Sequence, residues 1–222
     1  MKDQLKKVWS EYGVLLVITS VVILLQTVVG VIIWDRLPET IATHFNVNNE
    51  PDGYSSRTFT VFGMPLMLLA LHWICLLLSC SGNQKLASAD PRVRRLCVYI
   101  IPAISLLMVG VTYGNALGIE MDVGRIVLVF LGALFLVLGN YMPKIRHNYT
   151  TGIKLPWTLA DEEIWNKTHR MAGPVWMIGG LALIACSMFV GDIELAVAVL
   201  IMVILVPTVY SLATYMKKYK NK

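Results

Sequence analysis

Six apolar runs set the terms on which this chain can fold. They cover Val14–Trp34, Phe59–Cys80, Leu96–Leu117, Val123–Tyr141, Pro174–Val190 and Ile193–Tyr215. About 20 helical residues cross the hydrocarbon core of a bilayer. Extended backbone there would leave peptide groups unpaired in hydrocarbon, at several kcal/mol each, so the runs read as helices. The expected fold is all-α: a polytopic membrane protein with six transmembrane helices. The chain is 56% hydrophobic and 15% charged, well below the roughly 25% charge of an average soluble domain. The fifth run is short, which predicts a start a few residues upstream. The first run is too long for a cleaved signal and reads as an uncleaved first span.

The cations sort the connections into two classes. Lys2, Lys6 and Lys7 precede the first run, and Lys85, Arg92, Arg94 and Arg95 follow the second. Lys144, Arg146, Lys154, Lys167 and Arg170 lie between the fourth and fifth, and Lys217, Lys218, Lys220 and Lys222 end the chain. Of the 19 Lys and Arg residues, only Arg36, Arg57 and Arg125 fall in the alternate connections. Cytoplasmic segments hold such excesses. Both termini are therefore expected in the cytoplasm, and adding or dropping one span would scramble the partition. The net charge of +5 then reads as a topology and anionic-lipid signal, not a nucleic-acid signal. Cys75, Cys80, Cys97 and Cys186 sit in or beside apolar runs and read as packing thiols.

The expected organisation is a three-helix half over residues 1–122, with a long extracytoplasmic loop at 35–58. A second three-helix half covers 123–222, with a cytoplasmic loop at 142–173. The shared layout suggests a three-plus-three inverted repeat, carried by only a few matching residues. In the outer loop, Asn48-Asn49-Glu50-Pro51-Asp52-Gly53 predicts a double turn, with Asn49 suited to positive φ and Gly53 freer still. Asp35, Glu39, Glu50 and Asp52 outnumber Arg36 and Arg57 there, a field that favours a cationic ligand. In the inner loop, Thr158 followed by Asp161, Glu162 and Glu163 predicts a helix start, with the Thr hydroxyl as cap. That helix is expected to end near Met171. Its stripe of Leu159, Trp165, Thr168 and Ala172 is expected to lie against the inner membrane surface.

Within the spans, His72 is an ionisable group at membrane depth, a functional marker by default or a neutral histidine bonded to a nearby helix. Gln26 and Thr27 in the first span, with Thr112, Tyr113 and Asn115 in the third, suggest a polar patch. Gly110, Gly114 and Gly118 form a stripe suited to close helix approach.

Two stretches carry a resemblance. Gly152-Ile-Lys-Leu-Pro-Trp-Thr-Leu, continued by Trp165-Asn-Lys-Thr-His169-Arg170, resembles the signature of the SdpI family of bacterial membrane immunity proteins. Leu37-Pro-Glu-Thr-Ile-Ala-Thr-His44-Phe-Asn46, with Glu50-Pro-Asp52-Gly-Tyr54, resembles an uncharacterised domain that often precedes it. Asn49 stands where that domain more often has Gly, and Asn tolerates the same backbone. The resemblance implies a multi-pass protein of the bacterial plasma membrane that protects against a secreted, membrane-active peptide toxin. It also implies signalling to a cytoplasmic regulator. No cofactor is expected.

On this reading His44, Asn46, Asp52 and Tyr54 are the candidate toxin contacts, because that loop combines polar groups with aromatics. Trp157, Glu162, Trp165, Asn166, His169 and Arg170 form either a cytoplasmic partner surface or a structural brace. His72, Gln26 and Asn115 are the intramembrane polar candidates. Two other classes compete. A transporter or exporter would use ionisable groups facing a central cavity, and His72 fits that by position, with Asp122, Asp192 and Glu194 at the outer rim. A metal-dependent membrane enzyme would need converging ligands, and the four histidines, His44, His72, His147 and His169, are divided among different depths. His44 with Asp52, or His147 with His169 and Glu162, would make an incomplete site at best.

Overall fold

The computed structural model describes residues 2–80, 91–149, 151–190 and 193–220. Lys85, Asp192 and Lys222 lie outside the described residues, as do the side chains of Lys2, Lys6, Lys7, Cys80, Arg92 and Arg94. Helices α1 (Lys2–Ile32), α2 (Met64–Cys80), α3 (Pro91–Ala116), α4 (Val123–Tyr141), α5 (Pro156–Ala160), α6 (Glu162–Ala185) and α7 (Ile193–Tyr219) follow in order. A hairpin of β1 (Thr40–Phe45) and β2 (Pro51–Ser56) stands between α1 and α2. Among the described residues, six helical segments are long and apolar enough to cross a membrane: Trp9–Ile32, Phe59–Leu77, Arg95–Ala116, Val123–Lys144, Glu162–Phe189 and Ile193–Tyr219. The expected number of spans holds. The chain divides into two compact units, Met1–Ser81 with Arg94–Gly124, and Gly82–Val93 with Arg125–Lys222.

In the first unit α1 is apolar on nearly every side, as a span in lipid is. Its buried face is Tyr12, Leu16, Thr19, Ile23, Gln26 and Gly30, spaced by three or four residues. Leu16 and Ile23 are 0% exposed, while Val14 and Ile32 are 79% and 76% exposed, so the residues left outside are fit for acyl chains. Ile23 packs with Leu37, Ile41, Val61, Met64, Leu68, Val109 and Tyr113. A second cluster joins Tyr12 and Leu16 to Leu76 and Val98. At Gly30 a Cβ would run into the Tyr113 hydroxyl and Val61, so glycine sets that approach.

The outer loop forms a hairpin with a turn at 46–50, and Pro51 to Gly53, expected in a second turn, belong to β2. Thr40 pairs with Ser56, Ile41 with Ser55 and Ala42 with Tyr54, antiparallel, with irregularities at Ala42–His44 and His44–Phe45. Asn46 makes the turn: its Oδ1 accepts from the Asn48 and Glu50 amides at 2.9 and 3.0 Å. Asn49 takes φ +63°, as its residue type allows. Gly53 is needed for space, since a Cβ there would lie 2.8 Å from the His44 Cβ.

Two inner-loop expectations are corrected in the second unit. Asp161, not Thr158, caps the long helix: its carboxylate accepts from the Glu163 and Ile164 amides at 2.9 and 3.2 Å. Thr158 instead closes the start of the short α5, where its Oγ1 accepts from the Leu155 amide at 2.9 Å. Helix α6 does not stop near Met171; it runs from Glu162 through Pro174 to Ala185. The inner-loop helix and the fifth span are thus one rod, and its early apolar stripe packs inside the protein. Trp165, Thr168 and Ala172 are each 0% exposed. Polar Glu162–Arg170 hid the continuity, because one face of a helix suffices to bury a core.

The glycine stripe is corrected as well. Gly110 faces open space, Gly114 accommodates Met121, and Gly118 (φ +80°) follows the end of α3. The close approach lies between α4 and α6. A Cβ on Gly180 would lie 2.5 Å from the Gly132 carbonyl oxygen, and one on Gly139 would lie 2.8 Å from that of Gly173. The pairs are seven residues apart on each helix and run antiparallel, so backbone meets backbone twice.

Helix α7 contains Pro207. Proline has no N–H for the carbonyl four residues back, here that of Val203. The Trp176 indole N–H from α6 donates to that oxygen at 3.2 Å. Neighbouring helices commonly satisfy freed carbonyls in this way.

Candidate functional site

The inner segment is folded by side chains bonded to backbone, as a connection must be once its peptide groups leave water. Asn148 is 0% exposed. Its Nδ2 donates to the carbonyls of Arg146 and Thr151 at 2.7 and 3.1 Å. Its Oδ1 accepts from the Thr151 amide at 2.7 Å. Trp165 donates from Nε1 to the Ile145 carbonyl at 2.9 Å.

His169 stacks on the Trp165 ring with centroids 4.1 Å apart, and His147 meets that ring edge-on at 5.2 Å. The His169 Nδ1–H donates to the Trp165 carbonyl at 2.9 Å, and its Nε2 accepts from the Ile153 amide at 2.9 Å. One ring nitrogen gives a proton and the other receives one, so only the neutral Nδ1–H tautomer satisfies both bonds. Gly152, at φ +119°, lets the chain come this close; a Cβ there would strike His169 Nε2 and the Trp165 ring. His147 donates from Nε2 to the Leu159 carbonyl at 3.0 Å.

The end of α7 is latched to this segment. Trp157 Nε1 donates to Ser211 Oγ at 2.8 Å. Lys218 Nζ lies 2.7 Å from Asp161 Oδ2 and 2.6 Å from Glu163 Oε2. The Tyr219 hydroxyl donates to Asp161 Oδ2 at 2.8 Å. The Lys218 ammonium, helped by Tyr219 and by the two amides that Asp161 caps, holds the Asp161 carboxyl well below the usual carboxylate range. Sequence reasoning missed this latch. The signal present was Asp161 directly before Glu162-Glu163, a stronger cap than Thr158. Nothing in sequence brought Lys218 to it.

Of the predicted inner residues, Trp165 and His169 are buried and Trp157 is half-buried, each hydrogen-bonded within the second unit. Glu162, Asn166 and Arg170 are exposed. Spaced by four, they fall on one face of α6.

In the outer hairpin His44 Nδ1 and Asp52 Oδ1 are 2.5 Å apart with both side chains exposed. Tyr54 is 63% exposed, and its hydroxyl donates to the Pro51 carbonyl at 3.4 Å. Asn46 is occupied in the turn, with its Nδ2 donating to Glu50 Oε2 at 3.0 Å. The tip is fastened by Asn49, whose Oδ1 accepts from the Val123 amide at 2.8 Å. Its Nδ2 donates to the Met121 carbonyl at 3.0 Å. Asn49 thereby caps α4 across a long sequence gap.

Within the spans, His72 is 0% exposed and bonds to Thr19 through Nε2 at 2.9 Å. The histidine bonded to a neighbouring helix is thus what the structure contains. Gln26 donates from Nε2 to Ser105 Oγ at 2.8 Å. Tyr113 donates to the Gln26 carbonyl at 3.3 Å. Asn115, half-buried near the end of α3, is not part of this set, and its carbonyl accepts from the Gly118 amide at 2.9 Å. Among the described residues no three His, Cys, Asp or Glu side chains are grouped to hold a metal ion. Cys75 and Cys97 are half-buried and Cys186 is buried.

Comparison with known proteins bears out the resemblance in both stretches. Residues 144–211 match the SdpI/YfhL protein family. Residues 21–69 match a domain of unknown function, DUF1648. The chain is 26% identical over 205 residues to the immunity protein SdpI of Bacillus subtilis (strain 168), covering 90% of this chain and 93% of that protein. No solved structure matches.

Proposed function

We propose that this chain is an immunity protein of the bacterial plasma membrane. It protects the cell against a secreted, membrane-active peptide by engaging it at the outer face, with both termini in the cytoplasm. The observation that carries the reading is the likeness to a named immunity protein across 90% of the chain, through both polar segments. The outer hairpin is the receiving surface. His44, Asp52 and Tyr54 supply exposed polar and aromatic contacts, and Asn46 holds the turn that presents them. Glu50 and Asp52 give this surface an acidic character suited to a cationic peptide.

The exposed face of Glu162, Asn166 and Arg170 on α6 is the docking surface for a cytoplasmic regulator. The braces behind it, Trp165 and His169, keep that face fixed. The transporter reading keeps one specific support, the buried polar groups at His72 and Gln26 inside the helices of the first unit.

The test is survival of a gene-deleted strain challenged with secreted membrane-active peptides. The intact gene is expected to restore survival, and His44→Ala with Tyr54→Ala is expected to restore it less at equal membrane abundance. Equal survival with and without the intact gene, across the peptides that kill the strain, rejects the role. Orientation is tested separately. Residue 50 changed to Cys should react with an impermeant thiol reagent in whole cells, and residue 160 should not.

A further inference from the structure

We infer that helices α1 and α2 line an internal, water-binding polar track at membrane depth, with His72 Nδ1 and Gln26 Oε1 as its acceptors. The inference is independent of the immunity reading. It rests on two chains of hydrogen bonds that each end in an acceptor without a donor.

The first chain fixes His72. The Thr19 hydroxyl lies 2.9 Å from the Leu15 carbonyl and 3.2 Å from that of Leu16, so its proton goes to backbone. Thr19 Oγ1 therefore accepts from His72 Nε2–H. In the neutral ring Nδ1 then has only a lone pair, and it is buried without a partner. The second chain fixes Gln26. The Ser105 hydroxyl donates to the Pro102 carbonyl at 2.8 Å. Ser105 Oγ must then accept from Gln26 Nε2, which orients the amide. Gln26 Oε1 is left buried without a partner. His72 is 0% and Gln26 6% exposed.

Two hydroxyls extend the pattern. Thr112, Thr208 and Thr214 each donate to the carbonyl four residues back. Ser20 Oγ and Thr27 Oγ1 do not, and both are buried without a partner. Of five such side-chain atoms among the described residues, only Thr168 Oγ1 lies elsewhere. Thr19-Ser20 and Gln26-Thr27 are seven residues apart, two helical turns or about 10 Å along α1. Each level offers one bare acceptor and one uncommitted hydroxyl. An acceptor calls for a guest that donates, and a hydroxyl can answer in either sense. Water does both, and buried water typically satisfies such groups with two to four partners. An anion would meet lone pairs at both levels.

The test is water-edited solid-state NMR on the full chain in lipid bilayers, with 15N-labelled His and Gln. His44, exposed, and His169, buried with both ring nitrogens bonded to backbone, are internal standards. Water magnetisation is expected to build up at His72 and at the Gln26 amide with a time matching His44. Build-up at His72 or Gln26 as slow as at His169 overturns the track. Assignment uses His72→Gln, and where that variant fails to fold, His44→Gln and His147→Gln leave two signals, which the Nε2–H tautomer of His72 and the Nδ1–H tautomer of His169 tell apart.

Discussion

Replacing Gly180 by Ala tests whether the α4–α6 contact is set by backbone. The new Cβ would lie 2.5 Å from the Gly132 carbonyl oxygen and 3.0 Å from the Leu136 amide nitrogen. Neither atom can swing away as a side chain would. Relief requires the helices to part by about 0.5–1 Å, a gap that forfeits a quarter to a half of each dispersion contact along the seam. Overpacking of this kind costs about 1–3 kcal/mol, while Ala in place of Gly returns about 0.8–1 kcal/mol of helix propensity. The net expectation is a loss of up to about 2 kcal/mol. Gly110→Ala is the control, because nothing lies within 4 Å of its Cβ position. It should be neutral or stabilising by up to about 1 kcal/mol. The assay is reversible unfolding of purified protein in mixed micelles titrated with a denaturing detergent. Gly132→Ala with Gly180→Ala should cost less than the sum of the two, since one separation of the helices serves both. A Gly180→Ala protein as stable as the Gly110→Ala protein refutes the reasoning.

Trp176→Phe should cost about 1–3 kcal/mol by leaving the Val203 carbonyl unpaired. Adding Pro207→Ala should recover most of that in the same assay, by restoring the missing amide. Asp161 binds fewer protons folded than unfolded, because its folded carboxyl is depressed. Its contribution is therefore complete above the ordinary carboxylate range and fades as pH falls below about 4. The gap between the melting temperatures of wild type and Asp161→Asn should narrow from about pH 6 to about pH 3 without closing; a constant gap contradicts the latch. Gly152→Ala should lower stability and shift Trp165 fluorescence, by driving the loop off His169. An unchanged emission spectrum counts against that contact.

The spans were readable because hydrocarbon demands long uninterrupted apolar runs, and Val14 to Trp34 satisfies that on sight. The turn conformation at Asn49 was readable because few side chains tolerate positive φ. The continuity of α6 was not. Its first turns carry Glu162, Glu163, Lys167 and Arg170, which look like a surface connection until Trp165 and Thr168 are seen buried behind them. The hairpin was also missed, because Pro51 and Gly53 in β2 weaken any strand signal. Pairs such as Asn49 with Val123, or Lys218 with Asp161, depend on where distant segments meet, and residue types alone do not encode that. The glycine stripe failed for a related reason. Spacing marks candidate contacts, and only a facing backbone, as at Gly132 and Gly180, makes one.

The Lys218 and Tyr219 contacts have a practical side for anyone engineering this chain. A reporter fused at the carboxyl end continues from a helix whose last turn is tied to the start of another. Removing the final five residues would strip Asp161 of its cation and its phenol while sparing every residue of the family signature. A loss of stability in such a truncated protein would then report on the loop before α6, despite the deletion lying some 50 residues further along.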